Sequence, residues 1–273
     1  MKLRSHLAFR FSLAVIYALV VLPGLGSIHI PLPKFPRPGK QATRSAWQAP
    51  NPNTIPASPT GDNIRYGIQL FNSTPVYAPQ YTGNKLACSD CHLEGGVAQH
   101  ASPMVGLPAL FPMYNKRAGH VISLQERIQE CFTRSENGTP PPENGREMNA
   151  LVAYIQWLSQ PEPSREPFTG RGLIDLPALQ PNPKHGARVY AEQCANCHGK
   201  EGSGHPPLIP PLWGPDSFND GAGMNGISKM ARFVQHTMPQ TCPGLLSAQT
   251  AYDVSAYIHT KPRPKFNPAY KKY

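Results

Sequence analysis

Two five-residue stretches of the chain share one pattern: two cysteines separated by two residues, with a histidine directly after the second cysteine. The first stretch is CSDCH at residues 88–92, and the second is CANCH at residues 194–198. Side chains of these types can bind a metal ion, form a redox-active disulfide or carry a covalently attached prosthetic group. The pattern therefore marks two places where chemistry is expected.

Covalent attachment of haem accounts for all three residues of each motif. A zinc site would require the two cysteine pairs to converge across the roughly 100 residues between them, and it would leave the histidines without a role. A thioredoxin-like dithiol is expected within a βαβ unit and does not need the histidine. In haem c, the cysteines add to the vinyl groups and the histidine binds the iron. We therefore predict two covalently bound haems c, held by Cys88, Cys91 and His92 and by Cys194, Cys197 and His198.

Each iron has a second axial position, and its ligand must come from elsewhere in the chain. For the second haem, Met238 lies before a proline in a predicted loop, nine residues ahead of Ser247. Met224 and Met230 are the alternatives, and Met230 lies in an amphipathic stretch that is typical of core packing. We therefore predict Met238 as the distal ligand of the second haem.

The equivalent position in the first half of the chain holds no methionine. Met238 lies 18 residues before Ala256, and the residue 18 positions before Ala153 is Ser135. The only soft ligand near Ser135 is Cys131, which belongs to neither C-x-x-C-H motif. We predict Cys131 as the distal ligand of the first haem. The alternatives are a buried thiol, a disulfide with Cys242, or a distal ligand from Met104, Met113, His100 or His120.

Cys131 lies on a predicted helix with side chains that suit an anionic ligand. Arg127, Cys131 and Ser135 are spaced at i, i+4 and i+8, which places them on one helix face. A guanidinium stabilises a neighbouring thiolate and binds oxyanions through its planar fork. Arg117 lies ten residues before Arg127 and adds a second positive charge. The candidate catalytic residues are therefore Cys131, Arg117, Arg127 and Ser135.

The two motifs lie in segments that repeat the same order of pieces. From His92 to Ala153 there are 61 residues, and from His198 to Ala256 there are 58. Nearly equal spacing of matching pieces indicates a duplicated unit. The matching pieces are YGIQLF (66–71) with HGARVY (185–190), CSDCH with CANCH, and MNALVAYIQWL (148–158) with AYDVSAYIHT (251–260).

Composition and periodicity favour helices joined by long loops. The chain contains 33 prolines, each of which removes a backbone donor and fixes φ. Alternation with a period of two is scarce, so we do not expect a large sheet. The sequence therefore predicts an all-α fold with two tandem cytochrome c-like domains and long proline-rich loops.

The predicted helices have identifiable faces and ends. Helical periodicity gives an apolar face in residues 148–158 and a weaker one in residues 251–260. Another helix, SLQERIQECFTRS, begins at the capping box formed by Ser123 and Glu126. Ser247 is the predicted N-cap of the last helix. The two apolar faces consist of Leu151, Tyr154, Ile155 and Leu158, and of Tyr252, Ala256, Tyr257 and Thr260.

The N-terminus predicts export from the cytoplasm. Lys2, Arg4 and Arg10 precede an uncharged stretch at residues 11–30, which is typical of a signal peptide or a retained membrane anchor. Both predict a periplasmic protein, attached to a membrane only if this segment is retained. The predicted divisions are the leader (1–30), an extended segment (31–60), the first domain (61–160), a linker (161–181), the second domain (182–262) and a basic tail (263–273).

The net charge of +10 and the pI of about 9.4 favour anionic partners. Charged residues make up only 15% of the chain, and the basic residues do not form a long run. A nucleic-acid partner is therefore not expected.

Three longer stretches resemble the dihaem thiosulfate dehydrogenase family of periplasmic cytochromes. They are RIQECFTRSENGTPPPENGREMNALVAYIQWLS, LWGPDSFNDGAGM and ARFVQHTMP, and the resemblance covers about residues 60–262. The C-F-x-R-S-x-N-G and S-F-N-D-G-A-G-M blocks are much more specific than C-x-x-C-H, which many cytochromes share. The resemblance implies His92 and Cys131 on the first iron, and His198 and Met238 on the second.

The resemblance also implies a reaction and a substrate site. Two thiosulfates are joined into tetrathionate with release of two electrons, and some members of the family run the reaction in reverse. Arg117, Arg127 and Ser135 match the family's substrate-site residues near the first haem. Electrons would leave through the second haem to a cytochrome or a high-potential redox protein. Some relatives have a lysine before the distal methionine; here that position is Thr237, so exchange of lysine and methionine ligands is not expected.

Two other functions are compatible with two haems. A dihaem electron carrier without its own substrate would have histidine and methionine on both irons and no anion pocket. A dihaem peroxidase would need an open or displaceable ligand position. The missing methionine near Ser135, together with the Arg127, Cys131 and Ser135 face, favours the enzyme over the carrier.

Overall fold

A computed structural model of the chain describes residues 48–160 and 168–272. The predicted leader (1–30) and most of the extended segment (31–60) lie outside the described residues. None of the helices in the described part is long and apolar enough to cross a membrane.

Helices form nearly all the regular structure of the described residues, which confirms the predicted all-α class. A hairpin of two short strands, Met113–Asn115 and His120–Ile122, is the only sheet in this part of the chain, and Tyr114 pairs with Val121 across it. The first half contains α1 (Pro59–Asn72), α2 (Thr74–Tyr77), α3 (Leu93–Gly96), β1 (Met113–Asn115), β2 (His120–Ile122), α4 (Leu124–Arg134) and α5 (Arg146–Leu158). The second half contains α6 (Pro183–Val189), α7 (Ala195–His198), α8 (Ile227–Thr237) and α9 (Ala248–His259).

The predicted helix starts at Ser123 and Ser247 are confirmed. Ser123 Oγ accepts the N–H of Glu126 at 3.1 Å, and Glu126 Oε2 accepts the N–H of Ser123 at 2.7 Å. Ser247 Oγ accepts the N–H of Thr250 at 3.1 Å. These bonds satisfy N–H groups that the first turn of a helix leaves without an intrahelical partner. The capping box therefore sets where α4 begins, and with it the phase of the helix that carries Cys131.

Each half is built on a close helix crossing at an equivalent glycine. In the first half, α1 packs against α5 at Gly67, where a Cβ would overlap the carbonyl oxygen of Ala150. In the second half, α6 packs against α9 at Gly186, where a Cβ would overlap the carbonyl oxygen of Asp253. The two glycines hold the same place in YGIQLF and HGARVY. The repeated sequence pieces therefore form the same helix pair twice.

The predicted apolar face of α5 is confirmed, since all four of its residues are buried in the first core. The face predicted for α9 is only partly right. Thr260 is exposed, whereas Val254 and Ile258 are buried. The reason is that α6 and α8 both pack against α9, and Leu176 and Leu179 of the linker lie against its start. A helix covered on several sides does not keep a single apolar stripe.

The linker is tied to both halves of the molecule. Its Gly170 carbonyl accepts the N–H of His100 at 2.7 Å in the first half. In the second half, Arg232 Nη2 donates to the carbonyl of Leu173 at 2.8 Å and pairs with Asp175 at 2.6 Å. The described part of the linker therefore holds the two halves in a defined arrangement.

Candidate functional site

A cavity of about 60 Å³ lies beside the first C-x-x-C-H motif. Its wall is mostly apolar, as the walls of cofactor and ligand pockets are. The wall consists of Phe71, Leu86, Ala87, Cys88, Cys91, His92, Met104, Ile128, Cys131, Phe132, Ser135, Glu136, Leu151 and Ile155. Both cysteines and the histidine of the motif thus face one apolar space, together with Cys131 and Ser135 from α4 and its C-cap.

The imidazole of His92 is prepared to bind a metal through one nitrogen. Its Nδ1 lies 2.6 Å from the carbonyl oxygen of Ser102, which assigns the proton to Nδ1. Burial lowers the pKa of His92 to about 4. Nε2 is therefore left as a neutral lone-pair donor, with the ring orientation fixed by the second nitrogen.

His198 repeats this arrangement in the second half. Its Nδ1 lies 3.0 Å from the carbonyl oxygen of Pro210, and burial lowers its pKa. The hydroxyl of Tyr190 donates to the carbonyl of Gly199 at 2.7 Å and so fixes the chain directly after the motif. Both histidines therefore have Nδ1 held by a backbone carbonyl and Nε2 free to bind a metal, as two equivalent haem sites require.

Cys88, Cys91 and Cys194 are not activated nucleophiles. Burial raises the pKa of Cys91 to about 12 and that of Cys194 to about 11, and it raises the pKa of Cys88 well above its usual value. A redox or nucleophilic cysteine needs a lowered pKa. None of the six cysteines, all of which lie in the described residues, is bonded to another cysteine, and the described residues contain no cluster of three metal-ligating His, Cys, Asp or Glu side chains. The arrangement thus favours thioether attachment over a dithiol or a zinc site.

Cys131 lies on α4 next to a guanidinium. Arg127 Nη1 donates to Cys131 Sγ at 3.5 Å. The charge of Cys131, followed by that of Glu130, raises the pKa of Arg127. Ser135 is the C-cap of α4 and lines the same cavity. The structure therefore brings Cys131 and Ser135 to the cavity wall, with Arg127 in contact with the Cys131 sulfur.

The fourth candidate, Arg117, joins this group through a buried carboxylate. Glu130 is 2% exposed, and its oxygens lie 3.2 Å from Arg127 Nη1 and 4.0 Å from Arg117 Nη1. Arg134 Nε lies 4.0 Å away, and Asn115 Nδ2 donates to Glu130 Oε2 at 2.9 Å. The Glu130 carboxylate thus lies within 4.0 Å of three guanidinium groups. Arg117 and Arg127 keep 40% and 42% of their side chains exposed, so both remain accessible to an anion.

The other ligand candidates of the first haem lie in different places. Met104 lines the cavity, where it packs against Gly96. Met113 is exposed on β1. His120 Nε2 lies 3.6 Å from a Glu126 oxygen, and the His100 ring packs edge-on against His236 at 5.2 Å. Cys242 is exposed, and its thiol is not bonded to Cys131.

Of the three candidate methionines in the second half, two pack in the core and one lies at a helix end. Met230 is 5% exposed and belongs to the second core, as its amphipathic stretch predicts. Met224 packs against the same core. Met238 is half-buried at the C-cap of α8, where its N–H donates to the carbonyl of Val234 at 2.9 Å.

Two buried carboxyl groups were missed in the sequence. Glu130 lies three residues after Arg127 on α4, so helical spacing alone could have identified the pair. Glu136 is 2% exposed and lines the cavity, and its Oε1 lies 3.8 Å from Cys88 Sγ. Burial, and then the nearby Asp90, raise its pKa. No periodic signal marks Glu136, because it follows the end of the helix.

The residues around both motifs fit covalently attached haem. Each site offers a pair of cysteines, an imidazole with a free Nε2, and apolar side chains that replace water around a large hydrophobic group. The first site adds a sulfur ligand candidate and positive charge.

Comparisons with known proteins agree with this fit. The SoxA/TsdA cytochrome c domain matches residues 74–163, and the cytochrome c oxidase cbb3-type subunit III domain matches residues 181–258. The chain is 40% identical over 233 residues to the thiosulfate dehydrogenase of Stutzerimonas stutzeri, covering 83% of this chain and 76% of that protein. It is 38% identical over 231 residues to the thiosulfate dehydrogenase of Allochromatium vinosum, covering 81% and 86%.

A solved structure is similar as well. The thiosulfate dehydrogenase (TsdBA) from Marichromatium purpuratum, in its as-isolated form, matches with a TM-score of 0.74 and 37% identity. The match covers 80% of this chain and 50% of that chain, so this chain spans half the length of that one. These matches confirm two tandem cytochrome c domains and two covalently bound haems c. The chain belongs to the thiosulfate dehydrogenase family of c-type cytochromes.

Proposed function

We propose that this protein oxidises thiosulfate at the first haem by joining two thiosulfates into one tetrathionate, with release of two electrons, in a reaction that can also run in reverse. The observation that carries the proposal is the 3.5 Å contact between Arg127 Nη1 and the Sγ of Cys131, which lines the same cavity as His92. A sulfur ligand next to an accessible positive charge is suited to sulfur oxyanions and has no purpose in a simple electron carrier.

His92 and Cys131 are the proposed iron ligands of the first haem, with Cys88 and Cys91 as its attachment points. Met104 is the only other soft side chain in the cavity wall. It packs against Gly96, four residues after His92, and the neighbouring Ser102 holds His92 Nδ1. Met104 therefore comes from the histidine side of the cavity, whereas Cys131 comes from α4. In the second domain, Cys194 and Cys197 attach the haem, and His198 and Met238 bind its iron.

Arg117 and Arg127 are proposed to gather the substrate. Thiosulfate is a small dianion, and two of them repel each other as they approach. At a separation of 4 Å, unit charges of the same sign cost about 1 kcal/mol in water and about 4 kcal/mol near a protein surface. Fixed guanidiniums offset this repulsion, and the hydroxyl of Ser135 can donate to a sulfonate oxygen.

The sulfur of Cys131 is proposed to take part in bond formation. The Cys131 thiolate and the outer sulfur of one thiosulfate form a sulfur–sulfur bond, and two electrons leave the pair. The sulfur of a second thiosulfate then attacks that outer sulfur, so that tetrathionate forms and the Cys131 thiolate is released. The haems, when bound, supply the electron-accepting capacity. Mass spectrometry under turnover should detect a thiosulfate-derived adduct on Cys131, and its absence would contradict this step.

Electrons are proposed to leave through the second haem to a cytochrome or a high-potential redox protein. The positive net charge of the chain favours an acidic acceptor. The charged and apolar pattern of residues 1–30 supports a periplasmic location.

Steady-state assays in both directions test the proposal. Wild-type protein, Cys131→Gly and the matched control Cys242→Gly would be compared at equal haem content. We expect wild type and the control to be reduced by thiosulfate and to turn over, and Cys131→Gly to lose at least a hundredfold in kcat. A wild type that thiosulfate does not reduce would instead support the electron carrier.

A further inference from the structure

The two most specific sequence blocks of this chain meet in space. C-F-x-R-S-x-N-G occupies residues 131–138 in the first domain, and S-F-N-D-G-A-G-M occupies residues 217–224 in the second. The contact is centred on Asn219, which is 1% exposed. Asn219 Nδ2 donates to the carbonyl of Thr133 at 2.9 Å and to Asn137 Oδ1 at 3.0 Å. The backbone N–H of Asn219 donates to the carbonyl of Arg134 at 3.1 Å.

These contacts supply hydrogen-bond donors to the last carbonyl groups of α4. The last carbonyls of a helix have no intrahelical donor, and a buried helix end needs partners from elsewhere. The carbonyls of Thr133 and Arg134 receive theirs from Asn219. The carbonyl of Ser135 accepts from Asn84 Nδ2 at 2.8 Å, and the same nitrogen donates to the carbonyl of Ser217 at 3.0 Å. Both asparagines therefore join the end of α4 to the second domain.

Arg134, at the end of α4, contacts the second domain through its side chain. Arg134 Nη1 donates to the carbonyl of Gly221 at 3.4 Å, and its guanidinium lies 4.1 Å above the ring of Phe266. Asp220 Oδ1 accepts the N–H of Phe266 at 2.8 Å, which fixes this ring. Gly221 is required here, since a Cβ would lie 2.7 Å from Phe266 Cγ and 2.9 Å from Arg134 Nη1.

We propose that Asn84, Arg134 and Asn219 form a helix-end clamp, through which the second domain positions the active-site turn of the first. The carbonyl of Cys131 accepts the N–H groups of Ser135 and Glu136 at 2.8 and 3.0 Å, so the clamped turn is the one that carries Cys131 and Ser135. Asn84 and Asn219 are positioning residues in this proposal, because they touch the backbone of α4 and not the cavity. The inference rests on the proposed role of Cys131 at the first haem.

Two isosteric substitutions test the clamp in the full-length, haem-loaded protein. Asn219→Asp keeps the oxygen that accepts from Gly221, but it removes both Nδ2 hydrogen bonds and places a negative charge against the two oxygens of Thr133 and Asn137 that accepted them. Asn84→Asp likewise keeps the oxygen that accepts the N–H of Leu86. The matched control is Asn225→Asp, because Asn225 Nδ2 donates to Asp220 within the second domain and not to α4.

Three readouts separate positioning from general stability. In hydrogen–deuterium exchange, we expect peptides covering residues 131–138 to exchange at least tenfold faster in both clamp variants, with peptides of α9 unchanged. The electron paramagnetic resonance signal of the first haem should broaden or split, while that of the second stays as in wild type. The kcat should fall about tenfold to a hundredfold, as misplacement by about 1 Å can cause.

The outcomes are distinguishable from failure of the proposed function. Wild-type exchange over residues 131–138 in both variants would overturn the clamp, as would equal changes at both haems. A wild type without a thiolate signal at the first haem would overturn the role of Cys131, while the exchange data would still decide the clamp. If one variant does not fold, the other provides the same test.

Discussion

Replacing Glu130 by glutamine removes the negative charge that pairs with three arginines but keeps the shape of the side chain. Glu130 is 2% exposed, with guanidinium nitrogens of Arg127, Arg117 and Arg134 at 3.2, 4.0 and 4.0 Å. Glutamine still offers an oxygen to Asn115. The substitution therefore isolates the charge–charge part of the interaction.

The expected loss of unfolding free energy follows from how far each arginine side chain is exposed to solvent. Opposite unit charges 4 Å apart attract by about 4 kcal/mol at an effective dielectric constant of about 20. Arg117 and Arg127 are 40% and 42% exposed, so solvent reduces each of their pairs to about 1 kcal/mol or less. The side chain of Arg134 is 7% exposed, and its pair is screened less. Breaking a buried pair costs about 3–5 kcal/mol, and we expect about 2–4 kcal/mol because the Asn115 bond survives.

Urea denaturation of the haem-loaded protein measures this loss. Wild type, Glu130→Gln and Glu143→Gln would be compared by circular dichroism, with Glu143 as the control because it is exposed. The control should stay within about 0.5 kcal/mol of wild type. A Glu130→Gln protein as stable as the control, with an unchanged m value, would refute the claim that this carboxylate holds the arginines together.

Three further changes have defined outcomes. Gly67→Ala should cost at least about 2 kcal/mol in the unfolding free energy, because its Cβ overlaps a backbone carbonyl of α5; a thermal melt like that of wild type would contradict the close crossing. Arg127→Lys should lower kcat/KM for thiosulfate about tenfold or more since the planar fork is lost, whereas the exposed Arg65→Lys should not. Burial would raise the pKa of Asp253, but the Asn182 amide and the His185 and Gln249 side chains hold it below its usual value. The ionised carboxylate therefore stabilises the fold above pH about 4. Above this pH, the unfolding free energy of wild type should exceed that of Asp253→Asn by about 1.5–3 kcal/mol. This difference in stability should disappear as the pH falls through the lowered pKa of Asp253. A stability difference that does not depend on pH would contradict the prediction.

Local signals in the sequence predicted the parts of the fold that depend on neighbouring residues. The capping box at Ser123, the apolar face of α5 and the contact of Arg127 with Cys131 all follow from helical spacing, and the structure contains each of them. The repeat of glycine-containing pieces predicted a duplicated unit, and both glycines lie at helix crossings.

Features that depend on distant residues could not be predicted in this way. The buried environment of Glu136 arises where Cys88 and α4 meet, and the partners of Asn219 lie more than 80 positions earlier in the chain. The face of α9 was predicted incompletely because α8 and the linker cover a side that periodicity assigns to solvent. The C-F-x-R-S-x-N-G and S-F-N-D-G-A-G-M blocks carried the family resemblance, but nothing in the sequence indicated that they meet in space.

A crystal structure of the oxidised, haem-loaded protein tests the central claim most directly, through the sixth ligand of the first iron. The account predicts that Cys131 Sγ and His92 Nε2 would both bind that iron, with Arg127 next to the Cys131 sulfur. A methionine or histidine bound to the iron instead, with the Cys131 side chain turned away, would contradict the account and leave a dihaem electron carrier.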